Sequence, residues 1–191
     1  MSARLPEQIT LPFLRQRARL HLERYWPSAE MLRRVLRRAV DKVVERHGDH
    51  RAAGYRMVDV VVDELVADGS LNDARFAAAW AGQLHRRGLP APAQRARLRE
   101  KGVAPELAAA AVTAVDEAVR AQGADPQKVR ACAYVRRKRL GPFRLDPEAR
   151  ATRRDKDLAA LGRAGFPWGL AKELIDADDT DEIDALADLE A

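Results

Sequence analysis

The segment Leu98-(x)3-Gly102-Val103-(x)3-Leu107-Ala108 recurs as Leu161-(x)3-Gly165-Phe166-(x)3-Leu170-Ala171. Nine positions beyond the residue that follows each glycine, Val112 corresponds to Ile175. The pattern reads as a helix stopped by a glycine, an apolar residue in the turn, then a second helix. Glycine adopts the left-handed conformation that ends a helix, and the apolar residue after it packs back on the last turn. A helical hairpin present twice means a chain built by repetition. Repetition of this kind favours a binding scaffold over a catalytic pocket.

The fold class follows from the same residues. Ala, Leu, Arg and Glu dominate, aromatics are 5%, and no convincing β alternation exists, so the chain reads as all-α. The β-like run Val58–Val62 also fits helical spacing through Met57, Val58, Val61, Val62, Leu65 and Val66, and no second strand pattern could pair with it. Prolines and glycines divide the chain into nine helices in three groups of three. The boundaries are 1–12, a flexible N-terminus; 13–69, 70–123 and 124–176, repeats 1 to 3; and 177–191, an acidic flexible tail with at most transient helix. Pro27, Pro90 and Pro142 close the first helix of each group, and each follows an alanine nine residues earlier: Ala18, Ala81 and Ala133. Ser70 and Asp73 are spaced as a capping box. The first group departs from the others, with a longer second helix, a turn or loop from Gly48 to Gly54, and no evident copy of the glycine hinge.

No run of about 18 apolar residues exists to span a membrane. The first ten residues lack the apolar core of a signal peptide, and Cys132 is alone, which together lead to the expectation of a cytoplasmic protein. The formal charge of +5 conceals an asymmetry. From Asp176 onward the chain has eight acids and no Lys or Arg, leaving 34 basic against 21 acidic residues in the body, a net +13. A body that basic attracts polyanions, nucleic acid first among them. The ordinary alternative is a set of solvated helix faces rich in arginine.

The cations fall in clusters. Arg33, Arg34, Arg37 and Arg38 form two i,i+4 rows. Arg86 and Arg87 close a helix, followed by Arg95, Arg97, Arg99 and Lys101. Arg136–Arg139 end another helix, with Arg144 nearby, and Arg150, Arg153, Arg154 and Lys156 line the next. Like charges at i,i+4 disfavour an isolated helix, so these rows call for an anionic partner or intramolecular carboxylates. Cations at helix C-termini also satisfy the helix dipole.

Other constellations are weaker. Phe76, Trp80 and Leu84 at four-residue spacing read as core. Trp26 and Trp168 stand beside prolines at helix boundaries and read as boundary packing, with an exposed contact as the alternative for either. Arg139-Leu-Gly-Pro-Phe-Arg144 sets an aromatic between cations, as single-strand binders do. His47-Gly-Asp49-His50 reads as a hydrophilic turn, because a structural zinc site needs four ligands. Cys132 occupies an apolar helix position and reads as a buried thiol. No phosphate loop, GxGxxG, His-Glu-x-x-His or Gly-x-Ser-x-Gly occurs, and the adjacent carboxylates Asp63-Glu64 and Asp116-Glu117 diverge around a helix. No catalytic residue, metal ligand or cofactor is therefore expected.

Asn72-Asp-Ala-Arg-Phe-Ala-Ala-Ala-Trp80, then Arg86-Arg87-Gly88, then Leu98-Arg-Glu-Lys-Gly-Val103 resembles the RecX family of recombinase regulators. Asp73, Phe76 and Ala77 match that family's first element, Arg86, Arg87 and Gly88 its second, and Lys101, Gly102 and Val103 its third. Ser28–Arg38 resembles the family's first-repeat helix, and Lys156 through Phe166 its third. The resemblance covers roughly residues 15 to 176. It implies three tandem three-helix repeats in an elongated, curved, monomeric molecule. It implies binding to the RecA filament on single-stranded DNA and inhibition or modulation of RecA's ATPase, strand-exchange and coprotease activities, tempering DNA repair and the SOS response. Direct contact with single- or double-stranded DNA is a further expectation. Arg33, Arg37, Arg95, Arg99, Arg150 and Arg154, on the second helices, are the candidate contacts to RecA or DNA. The competing class is a stand-alone helical DNA-binding protein, a transcription or chromosome-organising factor; a repeat adaptor for an acidic protein is a third.

Overall fold

In a computed structural model, residues 6–189 are described; residues 1–5 and 190–191 of the expected loose ends lie outside them. Every regular element among the described residues is helical. The first triplet is α1 (Leu11–Leu22), α2 (Ala29–His47) and α3 (Arg51–Ala67). The second is α4 (Asp73–Arg86), α5 (Ala91–Glu100) and α6 (Pro105–Ala121). The third is α7 (Pro126–Lys138), α8 (Pro147–Ala164) and α9 (Trp168–Asp176), with a 3₁₀ turn at Gly141–Phe143. A tenth helix, α10 (Asp181–Ala187), follows.

The two glycine hinges are built as their residues require. Gly102 and Gly165 take positive φ, 83° and 101°. Leu98 and Leu161 are fully buried one turn earlier, and Val103 and Phe166 are buried just after. At the second hinge the Gly165 and Phe166 amides both donate to the Leu161 carbonyl, closing the last turn of α8. Val112 and Ile175 are buried as well. The alanine register also has a physical basis, since Ala18, Ala81 and Ala133 are all buried on the first helix of their triplet.

By compactness the chain divides into two units. The first contains residues up to Phe76 together with Glu100–Val103. Its core joins α1, α2 and α3 through Leu14, Ala18, Leu32, Leu36, Val40, Val43, Val58, Val61 and Val62. The Val58–Val62 run is helical, and Gly54 lies inside α3 rather than in a loop. That glycine allows close packing, because a Cβ there would meet Val40 at 2.7 Å and Ile9 at 2.9 Å. The turn is therefore only Gly48–His50, shorter than the sequence predicts. Residues 9–12 are also more ordered in place than a loose N-terminus: Ile9 is buried, its amide donates to Asp49 Oδ2 at 2.7 Å, and Thr10 caps α1. The expected Ser70–Asp73 capping box does not form. Asn72 caps α4 by accepting from Arg75 N at 2.9 Å, while Asp73 accepts from Ala29 N at 2.8 Å at the start of α2.

The second unit contains Ala77–Arg99 and the chain from Ala104 onward. Its main core gathers Ala131, Cys132, Val135, Leu158, Leu161, Phe166, Ala171, Leu174 and Ile175. Cys132 is a buried free thiol whose pKa burial pushes up to about 12. Ile183 and Ala187 of α10 belong to the same core. The sequence predicts a tail too poor in apolar residues to pack unaided; α10 packs through Ile183 and Ala187 with partly buried Leu186 beside them, and ion pairs to α7 supplement these. Lys128 Nζ lies 2.8 Å from Glu182 and Arg136 Nη1 lies 2.7 Å from Asp188.

Candidate functional site

The six candidate arginines fall into two kinds. Arg33 and Arg37 on α2 share Asp59 of α3, at 3.3 and 3.1 Å, and Arg33 also reaches Asp63 at 3.1 Å. Arg37 further lies 5.1 Å from the centre of the Tyr55 ring. Arg150 donates to the Ala177 carbonyl, and Arg154 grips Asp176 with two 2.6 Å hydrogen bonds. Most members of the i,i+4 rows thus find intramolecular acids, Arg34 included, on Glu30 at 2.9 Å, while Arg38 donates to the Arg34 carbonyl and Arg150 to that of Ala177. Exposed pairs of this kind are each worth about 0–1 kcal/mol, so the guanidinium groups remain exchangeable to a stronger anion.

Arg95 and Arg99 on α5 differ. Neither has a carboxylate partner among the described residues, and Arg99 is exposed while the opposite side of α5 buries Gln94 and Leu98. Other cations without ion pairs among the described residues end α4 and α7: Arg86, Arg87, Arg137, Lys138 and Arg139, all exposed. The turn that follows α4 lies directly on α7, since a Cβ on Gly88 would fall 2.4 Å from Tyr134 N and 2.5 Å from Arg130 O. The cations that end these two helices belong to one unit.

Two aromatic assignments change. Trp26 and Trp168 are 69% and 63% exposed rather than packed at helix boundaries. Phe143 and Arg144, by contrast, are engaged within the fold. Phe143 packs on the core, and Arg144 is held by buried Asp157 at 2.7 and 2.6 Å.

Comparison with known proteins now bears on this helical, basic chain. Residues 72–112 match the profile for RecX, second three-helix domain. A Myxococcus xanthus (strain DK1622) protein named Regulatory protein RecX is 37% identical over 172 residues, 90% of this chain and 89% of that protein. The chain belongs to the RecX family. A Regulatory protein RecX of Amycolatopsis mediterranei (strain U-32) is 37% identical over 118 residues, 61% of this chain and 62% of that protein. No solved structure matches.

The RecX motif residues prove mainly architectural. Asp73 caps α2, Ala77 is fully buried, Gly88 seats α4 on α7, and Val103 is buried after its hinge glycine. What the sequence did not reveal in this RecX chain is a set of buried charges. Arg130, 4% exposed, pairs with Asp116 of α6, and its Nη1 lies 3.5 Å from Nδ1 of fully buried His85 on α4. A guanidinium only donates, so the facing imidazole nitrogen is an acceptor and His85 is neutral. Burial first, and then Arg130, lower its pKa to about 4. Position on the inward face of each helix was the only signal for these residues, and charge concealed it.

No group of His, Cys, Asp and Glu that could hold a metal occurs among the described residues, and no helix there is long and apolar enough to cross a membrane.

Proposed function

We propose that this protein is a non-catalytic regulator that binds the RecA recombinase filament on single-stranded DNA and restrains its ATPase, strand-exchange and coprotease activities, so tempering DNA repair and the SOS response. The observation that carries this reading is the kinship, over nine-tenths of the chain, with a protein named for regulation. The charge distribution supports it: a body of net +13 is suited to a polyanionic filament. Within the six candidates, Arg95 and Arg99 are the best contacts because no carboxylate among the described residues competes for them. Arg33, Arg37, Arg150 and Arg154 join by exchanging their intramolecular partners.

The direct test is RecA-catalysed ATP hydrolysis on single-stranded DNA with increasing protein. Hydrolysis falls as the protein saturates the filament. Unchanged hydrolysis and strand exchange at saturation would remove the assignment. Binding to naked and RecA-coated DNA separates this reading from a stand-alone DNA-binding protein, which would bind specific naked sequences tightly without RecA.

A further inference from the structure

The first unit carries an aromatic cleft that none of the proposed arginine contacts uses. It is an open cavity of about 120 Å³ between the end of α1 and the start of α4, lined by Leu22, Tyr25, Trp26, Asn72, Arg75 and Phe76 among others. Two large aromatic side chains stand in solvent here, Trp26 and the 58% exposed Tyr25. Exposed aromatics side by side cost hydration free energy that burial would recover, so they mark a surface awaiting a ligand. The Arg75 guanidinium already stacks over Trp26, 4.2 Å from the ring centre. Tyr25 in turn leans on His21, ring centres 4.9 Å apart.

The surroundings decide the ligand's chemistry. No carboxylate lines the cleft. Arg75 has no ion pair among the described residues, and neither does Arg24, which directly precedes the two aromatics. Arg17 and Arg38 are close enough to His21 that, after burial, their charges hold its pKa below the ordinary value. Neither has an acidic partner among the described residues. Asn72 spends its carbonyl oxygen on capping α4, which leaves its amide to donate. Flat π surfaces, a hydrogen-bond donor and unpaired cations suit a planar, polar-edged ring on an anionic chain. An apolar peptide side chain would use the rings and leave the cations without a role.

We propose that this cleft is a stacking site for an unpaired base of single-stranded nucleic acid, with Trp26 as the platform and Arg17, Arg24 and Arg38 drawing in the adjacent phosphates. Arg75 braces the ring on one face, and the base takes the other. The site goes beyond filament regulation, because it needs no RecA to bind.

The test compares two strands of equal length, oligodeoxythymidylate and an abasic strand of the same backbone, binding to the full chain at low salt by fluorescence anisotropy. The wild-type protein prefers the base-bearing strand. Trp26→Ala loses about fivefold to a hundredfold on that strand and nothing on the abasic one, because stacking but not charge is removed. Trp26→Phe keeps part of the preference, which also guards against a folding defect in the alanine variant. Equal affinity of wild type for the two strands overturns the proposal. So does a Trp26→Ala loss that is the same on both strands. Because RecA is absent, either result leaves the regulatory reading to its own ATPase test.

Discussion

Arg144 clasps Asp157 side-on, Nε to Oδ2 at 2.7 Å and Nη2 to Oδ1 at 2.6 Å, and the Gly141 amide donates to the same Oδ2 at 3.0 Å. The carboxylate is only 2% exposed, so its charge depends on these three donors. Burial alone raises its pKa; Arg144 and the Gly141 amide outweigh that and leave it below the ordinary value. Asp157→Ala strands the guanidinium and frees the turn between α7 and α8. A loss of about 3 kcal/mol is expected, read from the urea midpoint. With a depressed folded pKa, the stabilisation is complete above the unfolded value, near 3.8, and disappears as pH falls through the folded one. A variant as stable as wild type at pH 7 would show that the pair contributes nothing.

His85 gives the same sign in a higher pH window. Its folded pKa is about 4 against an unfolded value of 6.5. Between those values the unfolded chain takes up a proton that the folded chain refuses. Stability therefore declines as pH falls from about 6.5 to 4, by about 3 kcal/mol at most. His85→Gln removes this part of the slope, so the difference between wild-type and variant unfolding curves isolates it from titration of the carboxylates. Parallel curves across that window would mean that the imidazole is not held neutral by burial and Arg130.

These buried charges also mark the limit of what could be read from the amino acids. Helices, triplets and the two clear hinges follow from local chemistry: apolar period, proline stops and glycines with positive φ. The missed copy of the hinge is instructive. Gly48 ends α2 with φ 73° and donates to the Val44 carbonyl four residues back, just where Leu98 and Leu161 stand before their glycines. The next residue is Asp49, which anchors Ile9 and His50 amides instead of packing on the helix. Without the apolar partner the motif had no pattern to recognise. The same holds at the arginine clusters. Spacing located the cations, but only the fold decides that Asp59 and Asp176 occupy some of them while Arg95 and Arg99 are left without carboxylates.

Gly88 tests how closely the turn after α4 must approach α7. Its φ of 69° already disfavours any side chain, and the α7 backbone leaves no room for a Cβ. Gly88→Ala combines conformational strain with displacement of a helix, a loss of at least ~3 kcal/mol. Gly123, with φ 80° and nothing within 4 Å, is the control; Gly123→Ala incurs only the backbone cost, about 1 kcal/mol. Thermal melting distinguishes them. Equal shifts would mean that the α4–α7 approach has slack.

The acidic end of the chain covers cations that a polyanion would otherwise reach. Glu182 holds Lys128, while Asp184 and Asp188 hold Arg136. Asp184→Asn with Asp188→Asn keeps Ile183 and Ala187 in the core and removes only the charges. We expect oligonucleotide affinity to rise roughly threefold or more at low salt, with the gain shrinking as salt screens the pairs. Truncation after Asp178 produces the same gain together with a lower melting temperature, because the two apolar anchors leave as well. If the double substitution leaves affinity unchanged, the tail has no part in screening Arg136.

The partnerless arginines make the sharpest distinction among the candidate contacts. An arginine that touches phosphate releases counterions when it binds, so its removal reduces the slope of log affinity against log salt by about 0.7–0.9. Arg95→Ala and Arg99→Ala should each show that reduction on RecA-coated single-stranded DNA and raise the protein concentration needed to inhibit ATP hydrolysis. Arg154→Ala should show less, because binding by Arg154 first requires release of Asp176, with its two 2.6 Å hydrogen bonds. It should also weaken the folded state slightly, whereas the α5 substitutions should not. Equal salt slopes for all three variants and wild type would remove α5 and α8 from the interface. The cations that end α4 and α7 would then be the next to substitute, beginning with Arg87 and Arg137.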